Sequence, residues 1–109
     1  MNRLENSSLA ENLTFHNHDF KAAIEDIEKV CGPVMYTDPD VDEPTQNEWE
    51  MQTEDGTPFT IYDFKEYREY DRTEKITWHI GSGNRFGSKK GYEELKRGFH
   101  LHPKVEYNI

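Results

Sequence analysis

Between residues 47 and 65 apolar and polar positions alternate on both sides of a turn. NEWEMQT (47–53) sets Trp49 and Met51 on one face. PFTIYDFK (58–65) sets Phe59, Ile61 and Asp63 on one face and Thr60, Tyr62 and Phe64 on the other. A period of two is the pattern of a strand. Asp55-Gly56 between the two runs predicts a hairpin, because the favoured tight turn wants positive φ at both central positions. The second arm is apolar enough on both faces to be a central strand. KITWHIG (75–81) repeats the alternation, with Ile76, Trp78 and Ile80 opposed to Thr77 and His79, and VMYT (34–37) predicts a further short strand.

Helical periodicity occurs twice. Phe20, Ala23, Ile24, Ile27, Val30 and Cys31 recur at a spacing of three and four, with Glu25, Asp26, Glu28 and Lys29 opposite them. The spacing predicts a helix from residue 18, capped by Asn17 or Asp19 and stopped at Gly32-Pro33. A second helix is predicted over 88–98, with Tyr92, Leu95 and Phe99 as its buried stripe. DPDVDEPTQNE (38–48) reads as an acidic loop and EYREYDRTE (66–74) as a charged link. The order of elements predicts an α+β fold: a single three- to four-stranded, mainly antiparallel sheet with two helices packed on it. Residues 18–99 are expected to form that single domain. A loosely ordered N-terminal segment (1–17) precedes it, and an extended C-terminal tail (100–109) follows.

Composition bears on the size of the core. The chain has 109 residues, 33% hydrophobic and 32% charged, which alone leans towards a thin core. Six Phe, six Tyr and two Trp point instead to a small core built on aromatic rings. Cys31 is the single cysteine, so neither an internal disulfide nor a cysteine zinc site is open to the chain. No apolar run of signal-peptide or membrane-span length occurs, and an intracellular, cytoplasmic location is expected.

The net charge of −9 is unevenly spread. Residues 1–74 carry 19 of the 22 acidic side chains and 6 of the 13 basic ones; residues 75–109 carry 3 and 7. The first part would repel nucleic acid, so duplex DNA is a disfavoured direct partner. Alternating carboxylates on a strand repeat at about 7 Å, comparable with phosphates along one DNA strand. A surface of that kind competes for the basic groove of a nucleic-acid-binding protein. The candidate partner contacts are Asp38, Asp40, Asp42, Glu43, Glu48, Glu50, Glu54 and Asp55, together with Tyr67 and Tyr70, because aromatic side chains among charges make stronger contacts than charges alone.

A second chemistry is suggested by GSGNRFGSKKG (81–91). Its glycines precede a helix start with bases around it, and amides at a helix N-terminus attract anions. Arg85, Lys89, Lys90 and the strand residue His79 are the candidate anion contacts. The spacing matches neither the phosphate-loop nor the dinucleotide pattern, so a structural corner is the competing reading. Ser82 fails the nucleophile-elbow pattern, and no catalytic set is identified. His100 and His102, with His79, are too dispersed to define a metal site. No metal or cofactor is expected.

The run IYDFKEY (61–67) followed by WHIG (78–81) resembles small bacteriophage-encoded accessory proteins. These carry an acidic strand pair, Ile-Tyr-Asp-aromatic-Lys, and then Trp-His-Ile-Gly before a closing helix. The resemblance covers residues 58–81 and implies a host-directed or replication-associated role, without supplying catalytic residues. The combined expectation is an acidic interaction module that binds and inhibits or modulates a host or phage protein, with nucleic-acid mimicry as one way of doing so. The alternative is a small ligand binder or enzyme using the 81–91 segment for a phosphate or nucleotide.

Overall fold

In the computed structural model, residues 1–100 and the strand Glu106–Asn108 are described. The expected hairpin is formed by β4 (Asn47–Gln52) and β5 (Pro58–Asp63), paired Glu48 to Tyr62 through Gln52 to Pro58. Only Gly56 of the turn takes positive φ (85°), because the connection is a five-residue loop closed by the Thr53 amide on the Thr57 carbonyl at 2.9 Å. β6 (Ile76–Ser82) pairs with the other side of β5, which makes β5 central as its two apolar faces imply.

The sheet is larger than the three to four strands expected from the sequence. Six strands lie side by side in the order β1-β4-β5-β6-β2-β7, where β1 is Asn2–Arg3, β2 is Thr14–Ala22 and β7 is Glu106–Asn108. A seventh, β3 (Tyr36–Thr37), pairs with β4 along the edge it shares with β1. Every pairing is antiparallel. Strands of two or three residues are too short to show alternation, which is why β1, β3 and β7 leave little trace in the sequence.

β2 escapes sequence reading for a different reason. The predicted helix from residue 18 is a strand up to Ala22, and α1 occupies only Ile24–Cys31. Phe20 and Ala22 enter the core two residues apart from a strand, and Ile24, Ile27 and Cys31 enter it from a helix. The step from Phe20 to Ile24 fits either period, so the break is invisible locally. Pairing with β6, Asp19 to His79 through Ala22 to Ile76, decides it. The Asp26 carboxylate accepts the Ala23 amide at 3.3 Å where α1 begins. Gly32, at φ 81°, ends it as expected.

α2 (Arg85–Phe99) begins three residues before its predicted start. α1 and α2 lie together on one face of the sheet. Ile27, Tyr92, Leu95 and Phe99 pack there on Phe20, Trp49, Phe59, Ile61, Trp78 and Ile80. The segment before residue 18 supplies β1, a 3₁₀ turn at Ser7–Ala10 and the start of β2, and buries Leu4. Residues 101–105 and 109 of the expected tail lie outside the described residues.

Candidate functional site

The alternation that sends Trp49, Met51, Phe59, Ile61, Trp78 and Ile80 towards the helices sends Glu48, Glu50, Thr60, Tyr62 and His79 to the opposite face. Neither α1 nor α2 covers that face; the 3₁₀ turn at Ser7–Ala10 and the lead into β2 pack over part of it, and Thr60 and Glu50 are buried there. Phe15 and Phe64, exposed at 40% and 44%, close an aromatic group around His79. The His79 ring lies 5.0 Å from Phe15 (edge-on), 5.7 Å from Tyr62 (stacked) and 5.7 Å from Phe64 (edge-on). Gly81 lets the chain pass beneath: a Cβ there would come 2.5 Å from Thr60 Oγ1.

Two adjoining clefts open beside these rings. One, of about 360 Å³, is walled by Ala10, Leu13, Phe15, Thr60, Tyr62 and Phe64; the other, of about 510 Å³, by Met35, Tyr36, Asp38 and Gln46. Thr45 and Glu48 line both. Burial, and then the neighbouring Glu50 and Asp63, push the Glu48 carboxyl above the usual carboxylate range. Burial and the Glu48 charge push the Tyr62 hydroxyl up in turn. Burial lowers His79, against the opposing pull of Asp19, Glu66 and Asp63. Glu48 carries no hydrogen-bond or ion-pair partner for its carboxylate among the described residues. The buried Glu50 Oε1 and Gln46 Nε2 are likewise unpartnered there.

The other acidic candidates are dispersed. Asp38, Asp40, Asp42 and Glu43 are exposed in a loop folded on itself, where Asp38 Oδ1 accepts the Asp40 amide at 3.0 Å and Asp40 Oδ1 the Asp42 amide at 2.9 Å. These carboxylates form no strand ladder. Glu48 and Glu50 do share a strand face, but they are drawn inward. Glu54 stays exposed, its amide donating to the Glu94 carboxylate at 3.1 Å. Asp55 accepts from Lys90 at 2.8 Å and from Thr53 and Thr57, and these bonds hold its carboxyl well below the usual range. Tyr67 is exposed with φ at 52°. Tyr70 is half-buried and donates to the buried Asp63.

The glycine-rich run is not a loop. Gly81 lies in β6, and Gly87 and Gly91 lie inside α2. Only Gly83 and Asn84 connect the two elements, and Asn84 Oδ1 accepts the Gly87 amide at 2.8 Å. His79 stands on the sheet face opposite α2, away from Arg85 and Lys89, and Lys90 is engaged by Asp55. Arg85 and Lys89 instead lie near His18, whose Nδ1 shares a hydrogen bond with Ser88 Oγ at 2.7 Å. Ser88 is fully buried, so this pair offers no accessible nucleophile.

Among the described residues no three or more His, Cys, Asp or Glu side chains gather into a metal-sized group. His100 ends α2, and His102 lies outside the described residues. No helix there is long and apolar enough to cross a membrane.

Sequence reasoning marked Glu48 and His79 but missed Phe15, Thr45 and Gln46 as their neighbours. The available signal was the outward alternation of Thr60, Tyr62 and Phe64, three positions that a doubly covered strand would have used for aliphatic packing. No protein-family model, no curated protein and no solved structure matches the chain.

Proposed function

We propose that this protein is a small acidic interaction module that binds a basic segment of another protein through the clefts on the sheet face opposite its two α-helices. The reading rests chiefly on Glu48. A half-buried carboxylate with two acidic neighbours and no cation paired to it among the described residues, set against aromatic rings where two clefts adjoin, is suited to receive positive charge from outside. The exposed acids of 38–43 lie in the chain leading to this groove and would steer a basic partner towards it. The resemblance of residues 58–81 to phage accessory proteins supports a host protein in the cytoplasm as the target. A protein that itself binds nucleic acid would present the required basic surface.

The test is capture from bacterial lysate, followed by binding measurements with the purified partner at low and high salt. Asp38, Asp40 and Asp42 would be reversed to lysine in parallel. Raising salt from about 0.05 to about 0.5 M shortens the screening length severalfold. The expected outcome is weaker association at high salt and in the charge-reversed protein, mainly through a slower on-rate. A partner whose binding ignores both changes would sink the acidic-module reading.

A further inference from the structure

The geometry points to an arginine side chain, carried on an extended segment of the partner, docking between Glu48 and the rings of Tyr62 and Phe64, with a main-chain carbonyl of that segment accepting the Gln46 side-chain amide. This deepens the proposed function and rests on it. Four observations converge on that occupant.

The two clefts adjoin, with Thr45 and Glu48 in the walls of both, so that an extended chain lying across β3, β4 and β5 would meet each in turn. Gln46, only 7% exposed, stands in the wall of one cleft; its unpartnered Nε2 lies just beneath the surface, where a rotation of the side-chain amide would bring it to an occupant. A buried donor left alone carries a substantial desolvation penalty, and a peptide carbonyl would remove it. On the acceptor side, among the described residues Glu48 has no partner for its carboxylate, and Glu50, 8% exposed, has an unpartnered Oε1 beside it. The missing complement is a donor of positive charge. Finally, the aromatic walls suit a planar cation. The chain's own Lys65 ammonium sits 5.1 Å over Phe64, so a ring of this cleft already takes a cation.

Arginine fits better than lysine. Its planar fork can donate to a carboxylate and lie against a ring at once, whereas an ammonium is a strongly hydrated point charge. A nucleic-acid strand would bring phosphates against Glu48, Glu50 and Asp38 and is excluded by charge.

The experiment uses the intact protein labelled with nitrogen-15 and three capped nine-residue Gly/Ser peptides. One bears a single central arginine, one lysine, and one citrulline, which keeps the shape of arginine without the charge. We expect saturable shifts of the Glu48, Tyr62 and Phe64 amides with the arginine peptide. Binding should be about tenfold weaker with lysine and lost with citrulline. Glu48→Gln should weaken the arginine peptide by at least about tenfold while leaving the protein folded.

Equal binding of arginine and citrulline, shifts confined to residues 38–43, or full affinity in Glu48→Gln would each overturn the pocket. Shifts at this face that grow with protein concentration alone would assign it to a second copy and overturn it too. The charge-reversed protein separates the two levels. If Glu48→Gln is silent but the Asp38, Asp40 and Asp42 reversals still abolish partner capture, the module reading stands and only the arginine pocket falls.

Discussion

Gly91 lies in the helix face that meets the sheet, where a Cβ would come 2.8 Å from the Phe59 ring. That ring is fully buried in the core and has no free direction in which to retreat. Gly91→Ala should therefore cost about 1–3 kcal/mol of overpacking, despite the better helix propensity of alanine. Gly83 has nothing within 4 Å of a Cβ and no positive φ, so Gly83→Ala should leave the melting temperature almost unchanged. Chemical denaturation of the two variants checks the contrast. If both lose stability equally, the space beside Phe59 is not what Gly91 protects. Glu48 gives a residue-scale prediction of opposite sign. Its folded pKa is raised, so its favourable contribution is complete below the unfolded value and lost as pH rises through the folded one. Glu48→Gln should thus raise the melting temperature at pH 7, a gain that disappears near about pH 4. The proposed binding role would account for a carboxylate that weighs against the fold.

At the scale of elements, Asp63 joins three segments that strand pairing alone would leave apart. Its Oδ1 accepts the Gln46 amide at 2.7 Å and the Asn47 amide at 3.0 Å, fixing the point where the acidic loop enters β4. Its other oxygen receives the Tyr70 hydroxyl, which in turn accepts from Asn47 Nδ2 at 2.6 Å and ties down the link 64–75. Burial, followed by that bond to Asp63, pushes the Tyr70 hydroxyl far above its ordinary value. Asp63→Ala would leave two amide donors and a phenol without this acceptor. A loss of roughly 3 kcal/mol or more is expected. Hydrogen exchange should show the Gln46 and Asn47 amides losing protection before those of β6, because the damage is local to the loop entry. Unchanged protection at those two amides would show that the pairing of β3 with β4 holds the loop unaided. Since Gln46 and Thr45 line the groove, the same variant should also blur partner binding.

For the whole molecule, pH and charge act together. His18 and His79 both have lowered pKa values, each mainly through burial, so the unfolded chain binds protons at pH values where the folded one does not. The stability this represents is present above the unfolded histidine pKa and is lost as pH falls from there through the lower folded values. The melting temperature should therefore drop between about pH 7 and about pH 5, and the drop should be smaller in a His18→Gln, His79→Gln double variant. Thermal denaturation across that range checks it. A flat profile would mean that neither ring resists protonation. Concentration of 19 acids in the first 74 residues adds self-repulsion, which moderate salt should relieve.

What could be read from the sequence was whatever rests on local period. The β4–β5 hairpin, β6, the α2 stripe of Tyr92, Leu95 and Phe99, and the stop at Gly32 follow from spacing and from one glycine conformation. Glu48 and His79 could be marked as chemistry, though not as neighbours. The rest required partners distant in sequence. Whether Phe20 belonged to a helix or a strand was settled by Trp78 across the sheet, and the pairs that give β1, β3 and β7 their identity lie on β4 and β2. The groove is a product of the same pairings. Register sets Glu48 beside Tyr62 and Tyr62 beside His79, and the lead through Ala10 and Leu13 walls one side. Sequence determined which faces were apolar. Only the tertiary structure decided which of them the helices covered, because cover comes from segments whose own local pattern does not record where they pack.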